Sequence, residues 1–145
     1  MVAMVASDVR KGEVAAAFSL SDTIFVFGLP EGELRRKVHL AIPGFIQDPS
    51  REGGSEWQNR IRLVRGVHWL PGGSFLIHLA SAGPSEANGL MLIAPEGEVL
   101  HAWWPSPELL AVDWPEVYLH SHSTSEPNKL LVIRYRIGDH PPEER

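Results

Sequence analysis

Short apolar runs alternate with turn signals along most of the chain. The clearest unit is the stretch 66–104, in which four apolar runs are separated by the turn segment 71–73, the polar segment 83–89 and the turn segment 95–98. Segments 71–73 and 95–98 both combine Pro, which presets φ, with Gly, which supplies positive φ, so they predict tight turns. Four strands joined in this way predict an antiparallel meander.

The same pattern continues on both sides of this unit. It predicts further strands at 14–18, 23–27, 34–40, 60–65, 117–122 and 129–137. Segment 7–13 is polar and is expected to be frayed, whereas 105–115 contains three prolines and is expected to form a helical turn or an irregular crossing. Nine or ten strands and no long helix result. The prediction is an all-β fold of antiparallel, up-and-down type.

One turn sequence occurs twice. Segments 30–33 and 95–98 both read Pro-Glu-Gly-Glu, and each lies between an apolar strand and a mixed strand. A turn of this composition also arises by coincidence, but the matched flanks favour a structural repeat.

The segments 66–78 and 89–103 resemble one blade of a β-propeller. They are similar to blades of the NHL, arylsulfotransferase-like and related six-bladed groups, in which an inner strand meets a Pro/Asn-Gly-Gly turn and an outer strand often ends in Trp. The resemblance implies antiparallel four-stranded meanders in a partial, propeller-like array of about two to three blades. It places a full blade at 61–104, partial blades at 14–40 and 116–137, and a loop at 43–59. A small β-barrel or sandwich is the alternative architecture.

A blade packs on both faces, which agrees with the nearly continuous apolar runs at 75–77 and 90–93. A closed propeller has about 4 to 8 blades, and this chain supplies about three at most. Open blades would leave apolar faces and strand edges in water. We therefore expect a homo-oligomer, closed by head-to-tail contacts between copies of the chain.

Composition restricts the partners and cofactors. The 145 residues predict a single domain, 1–145, and the net charge of -5 argues against nucleic acid, which requires a basic face. Because there is no cysteine, disulfides and thiolate metal sites are excluded. No signal-peptide pattern is seen, and no run reaches the roughly 20 apolar residues of a membrane helix, so we expect a cytoplasmic protein without a membrane partner.

The sharpest chemical pattern is His120, His122 and Glu126. Residues two apart on a strand point to the same side, so both imidazoles could reach one divalent metal, with the carboxylate completing a partial site. The spacing is similar to the first metal motif of cupins, although the glycine expected upstream is missing. The alternative interpretation is a pair of partly exposed strand histidines.

For most of the other candidate residues, a structural role is the favoured interpretation. His68, His78 and His101 could approach one another across the meander, but ordinary strand histidines are the favoured interpretation. The basic run 35–37 is expected to be a solvated face. Interface or ligand contacts are predicted for four tryptophans, and of the adjacent pair 103 and 104 one is expected to face inward and one outward. These four are Trp57, Trp103, Trp104 and Trp114.

These patterns favour a non-catalytic binding or scaffold protein that self-associates through strand edges and apolar faces and takes a small-molecule or protein ligand. No catalytic residue is assigned, and no cofactor is expected unless the histidine pair holds a metal. One alternative is a cupin-like metal-dependent β-barrel enzyme using His120, His122 and Glu126. Another is an inactive fragment of a larger propeller enzyme.

Overall fold

A computed structural model describes residues 5–42, 62–81, 88–122, 126 and 129–138 of the chain. These residues form eleven β-strands and contain no helix, hence none long and apolar enough to cross a membrane. The strands are β1 (Val5–Arg10), β2 (Glu13–Phe18), β3 (Thr23–Gly28), β4 (Leu34–His39), β5 (Arg62–Trp69), β6 (Phe75–Ser81), β7 (Asn88–Ile93), β8 (Val99–Ser106), β9 (Glu108–Asp113), β10 (Glu116–His122) and β11 (Leu130–Arg136).

The strands form three antiparallel sheets in chain order. Sheet 1 contains β1 to β4, sheet 2 contains β5 to β8, and sheet 3 contains β9 to β11. Every paired strand is also a neighbour in sequence, so each sheet is a meander. The predicted all-β class and the predicted meander at 66–104 are confirmed.

Sheet 2 lies between the other two sheets and is covered on both faces. Successive side chains of β6 point to opposite faces, as in any strand. Phe75, Ile77 and Leu79 join a core shared with sheet 1, whereas Leu76 joins a core shared with sheet 3, and all four are fully buried. The continuous apolar run of β6 is therefore explained by burial on both sides.

Two separate cores result from this arrangement. The core between sheets 1 and 2 contains Ala15, Ala17, Ile24, Val26, Val38, Leu40, Ile42, Val64, Val67, Phe75, Ile77, Leu79, Met91 and Ile93. The core between sheets 2 and 3 is smaller and contains Leu70, Leu76, Leu90, Leu109, Val117, Leu119 and Ile137.

The glycine turns of sheet 2 close in the same way. The amide of Leu70 donates to the carbonyl of Ser74 at 2.8 Å, and the amide of Ala94 donates to the carbonyl of Glu98 at the same distance. Each loop ends on a glycine of positive φ, 93° at Gly73 and 104° at Gly97. Only glycine adopts this conformation without strain.

The two Pro-Glu-Gly-Glu segments lie at corresponding places, each joining the third strand of a sheet to the fourth. They do not close identically. In sheet 1 the amide of Gly28 donates to the carbonyl of Glu33, which makes that loop one residue longer than the loop between Ala94 and Glu98.

The expectation of a frayed segment at 7–13 is wrong for its first residues. β1 pairs with β2 along its whole length, and Lys11 and Gly12 form a two-residue turn with φ of 45° and 76°. Positive φ at both central residues is the hairpin turn whose twist matches that of the strands. Sheet 1 therefore starts before the predicted segment 14–40.

The expectation of a helical or irregular segment at 105–115 is also wrong. Pro105 lies within β8, which is an edge strand of sheet 2, and Pro107 alone separates β8 from β9. Edge strands and bends tolerate proline because no ladder donor is required there. The prolines turn the chain from one sheet into the next without breaking the strand pattern.

Candidate apolar binding site

An apolar pocket of about 320 Å³ lies between sheets 2 and 3. Its walls come from β7, β8, β10 and β11 and from the bend after β8. The lining residues are Leu90, Trp103, Pro105, Ser106, Pro107, Val117, Leu119, Ile133, Tyr135 and Ile137.

The alternation of side chains along β10 and β11 determines which residues form the sheet 3 side of this pocket. Val117 and Leu119 point inward along β10 and are buried. Their partners across the ladder are Tyr135 and Ile133 of β11, and directly paired residues share a face of the sheet. The alternating sequence of β10 and β11 thus builds one apolar wall facing sheet 2.

The opposite face of sheet 3 is polar. The hydroxyl of Tyr118 donates to Oε2 of Glu116 at 3.4 Å, and Nε of Arg134 lies 3.9 Å from Oε1 of the same carboxylate. We call this surface the outer face of sheet 3. Its charged side chains show that sheet 3 is apolar on one side only.

The sheet 2 side of the pocket is formed by Leu90 and Trp103, which are directly paired between β7 and β8. The indole of Trp103 is held by His101, whose ring centroid lies 4.3 Å away. At the bend, the hydroxyl of Ser106 donates to the carbonyl of Pro107 at 3.0 Å. A concave site of this size with few polar groups suits a small apolar ligand.

A second apolar surface lies on sheet 1, on the side away from sheet 2. We call it the outer face of sheet 1. Phe18 and Phe25 meet there edge to face with centroids 5.9 Å apart, and Nζ of Lys37 lies 5.7 Å from the centroid of Phe25. Phe18 and Val9 are exposed. Among the described residues, only sheet 2 is apolar and covered on both faces.

His120 and Glu126 of the predicted metal site have separate surroundings. Nδ1 of His120 lies 3.5 Å from Oε2 of Glu108 on the neighbouring strand, and Glu126 is paired with Lys129. His122 ends β10, and its side chain is outside the described part of the chain. The described residues contain no group of three or more His, Asp or Glu that could hold a metal. Metal binding by His120, His122 and Glu126 stays a prediction.

His78 is the one buried polar side chain among the described residues. Its Nε2–H donates to Oδ1 of Asn88 at 3.3 Å. Burial lowers the pKa of His78, and the Asn88 hydrogen bond and the charge of Glu108 offset this only in part. His101 is separated from His78 by strand β7 and packs on Trp103 instead. His78 therefore behaves as a neutral structural histidine.

The expectation that Trp103 and Trp104 point one inward and one outward is wrong in its second half. They do point to opposite faces of β8, but both are partly buried, Trp103 against the core with sheet 3 and Trp104 against the core with sheet 1. The reason is that sheet 2 packs against a neighbouring sheet on each of its faces. Trp114 also packs on the sheet 3 core, and Trp57 lies outside the described residues.

The basic run 35–37 is only partly a solvated face. Nη1 of Arg36 donates to the carbonyl of Pro95 at 3.1 Å, and its guanidinium carbon lies 5.9 Å from the ring centroid of Trp69. Arg36 thus ties sheet 1 to the turn after β7. Its neighbour Arg35 is exposed and pairs with Glu33 and Glu13.

No protein-family model and no curated protein sequence matches this chain. Among solved structures, it is similar to a chain of Drosophila Plexin A in complex with Semaphorin 1b, with a TM-score of 0.53 and 14% identity over 92% of this chain and 27% of that chain. It is also similar to Drosophila Semaphorin 1b, extracellular domains 1-2, with a TM-score of 0.51 and 14% identity over 91% of this chain and 27% of that chain.

The chain thus spans about a quarter of the length of these solved chains, 27% in both cases. Both neighbours contain β-propeller sema domains. At 14% identity the likeness establishes the fold alone. The chain is all-β, and its meanders form a partial, propeller-like array.

Proposed function

We propose that this protein is a non-catalytic binding and scaffold protein that self-associates. The observation that supports the proposal is the contrast between its sheets. Sheet 2 is covered on both faces, whereas sheet 1 keeps an apolar outer face and sheet 3 keeps exposed apolar side chains beside an apolar pocket. Exposed apolar surface of this kind marks interaction sites. We also propose that segments 66–78 and 89–103 form a blade of the NHL type.

The pocket supports binding without catalysis. Its walls are apolar, and the only hydroxyl groups among its lining residues belong to Ser106 and Tyr135. The Ser106 hydroxyl already donates to a backbone carbonyl. Such a lining can bind a ligand by shape complementarity and by removing its apolar surface from water. The lining residues contain no pair of groups arranged for proton transfer.

Filling the pocket tests the ligand part of the proposal. We expect a neutral aromatic fluorophore such as 1-aminonaphthalene to bind the wild-type protein and to bind Ser106→Phe about tenfold more weakly, or by about 1.4 kcal/mol. Leu110→Phe is the matched control, because it adds the same ring at an exposed position of β9 outside the pocket. Equal binding by all three proteins would contradict the assignment of the pocket.

Solution mass tests the self-association part. Light scattering across a concentration series should show a species of about twice the 16.1 kDa of one chain. A protein that stays monomeric over the whole series would contradict the proposal.

A further inference from the structure

Among the described strands, β11 is an edge strand of the smallest sheet. Sheets 1 and 2 contain four strands each, whereas sheet 3 contains three. β11 is paired with β10 from residue 130 to residue 136, and no described strand pairs with its other side. Such an edge presents unpaired backbone N–H and C=O groups that can template a further strand.

β11 leaves four large apolar side chains exposed. Leu131 is 47% exposed, Val132 56%, Ile133 42% and Tyr135 53%. Natural edges are blunted by charged side chains, proline, bulges or inward-pointing charge, and the charges of β11 are confined to Arg134 and Arg136 on the outer face of sheet 3. β11 contains no proline and pairs with β10 without a register shift.

From this edge we infer that two copies of the chain join by antiparallel pairing of β11 with β11 across a twofold axis at Ile133. The inference rests on the proposed self-association and gives it a location and a register. The two three-stranded sheets then form one continuous sheet of six strands. Each copy offers the same surface to the other, as a twofold interface requires.

The faces of β11 restrict the register. Ile133 and Tyr135 lie on the pocket side, whereas Arg134 and Arg136 lie with Glu116 on the outer face of sheet 3. Directly opposite residues of an antiparallel pair share a face. A register centred on a residue therefore keeps the apolar side continuous between the copies, whereas one centred between two residues sets apolar against charged side chains.

Among the registers centred on a residue, the one at Ile133 pairs the most residues without setting like charges opposite each other. It sets Tyr135 opposite Leu131 of the second copy and Arg134 opposite Val132, and it pairs all residues from 130 to 136. A centre at Arg134 sets this residue opposite Arg134 of the second copy. A centre at Tyr135 sets Arg134 opposite Arg136 of the second copy. Like charges directly opposite destabilise a sheet. A centre at Val132 leaves Tyr135 and Arg136 without partners in β11.

The other open surface fits a head-to-tail ring less well. A ring would pack the outer face of sheet 3, with Glu116 and Arg134, onto the outer face of sheet 1, with Phe18 and Phe25. This contact would bury charged groups against aromatic rings without new partners, which is costly. Edge pairing leaves the charged face of sheet 3 in solvent.

Single cysteines test the register, because the chain has none of its own. Directly opposed residues of an antiparallel pair have Cα atoms about 4.5 to 5.5 Å apart, within the range that a disulfide spans. Mild oxidation should convert most of Ile133→Cys into a covalent dimer. Leu110→Cys, which is exposed on β9 at the opposite edge of sheet 3, should stay monomeric in denaturing gels.

A mixed experiment checks the same register independently. Leu131→Cys alone and Tyr135→Cys alone should not cross-link, whereas an equimolar mixture of the two should give a heterodimer. Unoxidised variants are measured by light scattering to show that each still self-associates. Cross-linking of Leu110→Cys as efficiently as Ile133→Cys would overturn the inference.

The failures of the two proposals are distinguishable. A dimer by light scattering without a cross-link at position 133 would overturn the β11 interface and leave self-association in place, with the outer face of sheet 1 as the remaining surface. A protein that is monomeric at every concentration would overturn both proposals. This holds even if the protein binds an unrelated extended peptide along β11.

Discussion

Gly89 lies directly under the indole of Trp104. A Cβ built at position 89 would come within 1.8 Å of Cε3 of Trp104, a separation that no pair of non-bonded carbon atoms tolerates. The pairing of β7 with β8 shifts register between Asn88 and Leu90. The indole occupies the space that a side chain at position 89 would fill. The contact places Trp104 against the core between sheets 1 and 2.

We predict that Gly89→Ala destabilises the protein by about 1–3 kcal/mol, the usual cost of overpacking a core. The extra methyl group must displace the Trp104 ring or the backbone of β7. Urea unfolding measures the loss. The double variant Gly89→Ala/Trp104→Leu should lose less than the sum of the two single losses, because the smaller side chain removes the clash. Additive losses would contradict the proposed contact.

The buried His78 predicts a pH dependence of stability. Burial lowers its pKa below the ordinary value of 6.5, so the unfolded chain binds more protons than the folded chain in the interval between the two values. The stabilisation from neutral His78 is complete above the unfolded pKa. It is lost progressively as the pH falls from the unfolded pKa through the lower folded pKa, with a slope of at most about 1.4 kcal/mol per pH unit for one proton.

The variant His78→Gln provides the comparison, because its amide can still donate to Asn88 but does not titrate. Urea unfolding between about pH 5 and about pH 7.5 should give a stability that rises with pH in the wild type and a smaller slope in the variant. Identical slopes would show that His78 is not responsible.

The adjacent arginines Arg35 and Arg36 are predicted to differ sharply. Arg36→Gln loses a charged hydrogen bond to the carbonyl of Pro95 and the contact with Trp69, and should cost about 1–3 kcal/mol of unfolding free energy. Arg35→Gln removes solvent-screened ion pairs and should cost less. Equal effects in thermal or urea unfolding would contradict the role of Arg36 between sheets 1 and 2.

The strands that the sequence predicted are those with strong local signals. The glycine turns at 71–73 and 95–98 fixed the meander of sheet 2, because positive φ is required at Gly73 and Gly97. β1 was missed because its turn uses Lys11 before Gly12, and lysine is an unusual residue at positive φ. β9 was missed because prolines at a bend between strands look like prolines that break a strand.

The pocket depends on how sheet 3 packs on sheet 2, which the periodicity of single strands does not predict. The alternation of Val117 and Leu119 in β10 and of Ile133 and Tyr135 in β11 could have indicated one apolar wall. The second wall is Leu90 and Trp103 of sheet 2, and only the packing of sheet 3 on sheet 2 brings the two walls together. The packing of sheet 3 on sheet 2 partly buries Trp103, and the packing of sheet 1 on sheet 2 partly buries Trp104. Adjacency in a strand cannot predict this.

Sheet 2 is covered on both faces by its own chain, whereas we propose that a second copy covers the edge of sheet 3. Amide hydrogen exchange at high and low protein concentration tests it most directly. We predict that the amides of β6 exchange slowly at both concentrations and that the outward amides of β11 exchange slowly only when the protein is concentrated. Exchange in β11 that is fast at both concentrations, or equally slow at both, would contradict the account.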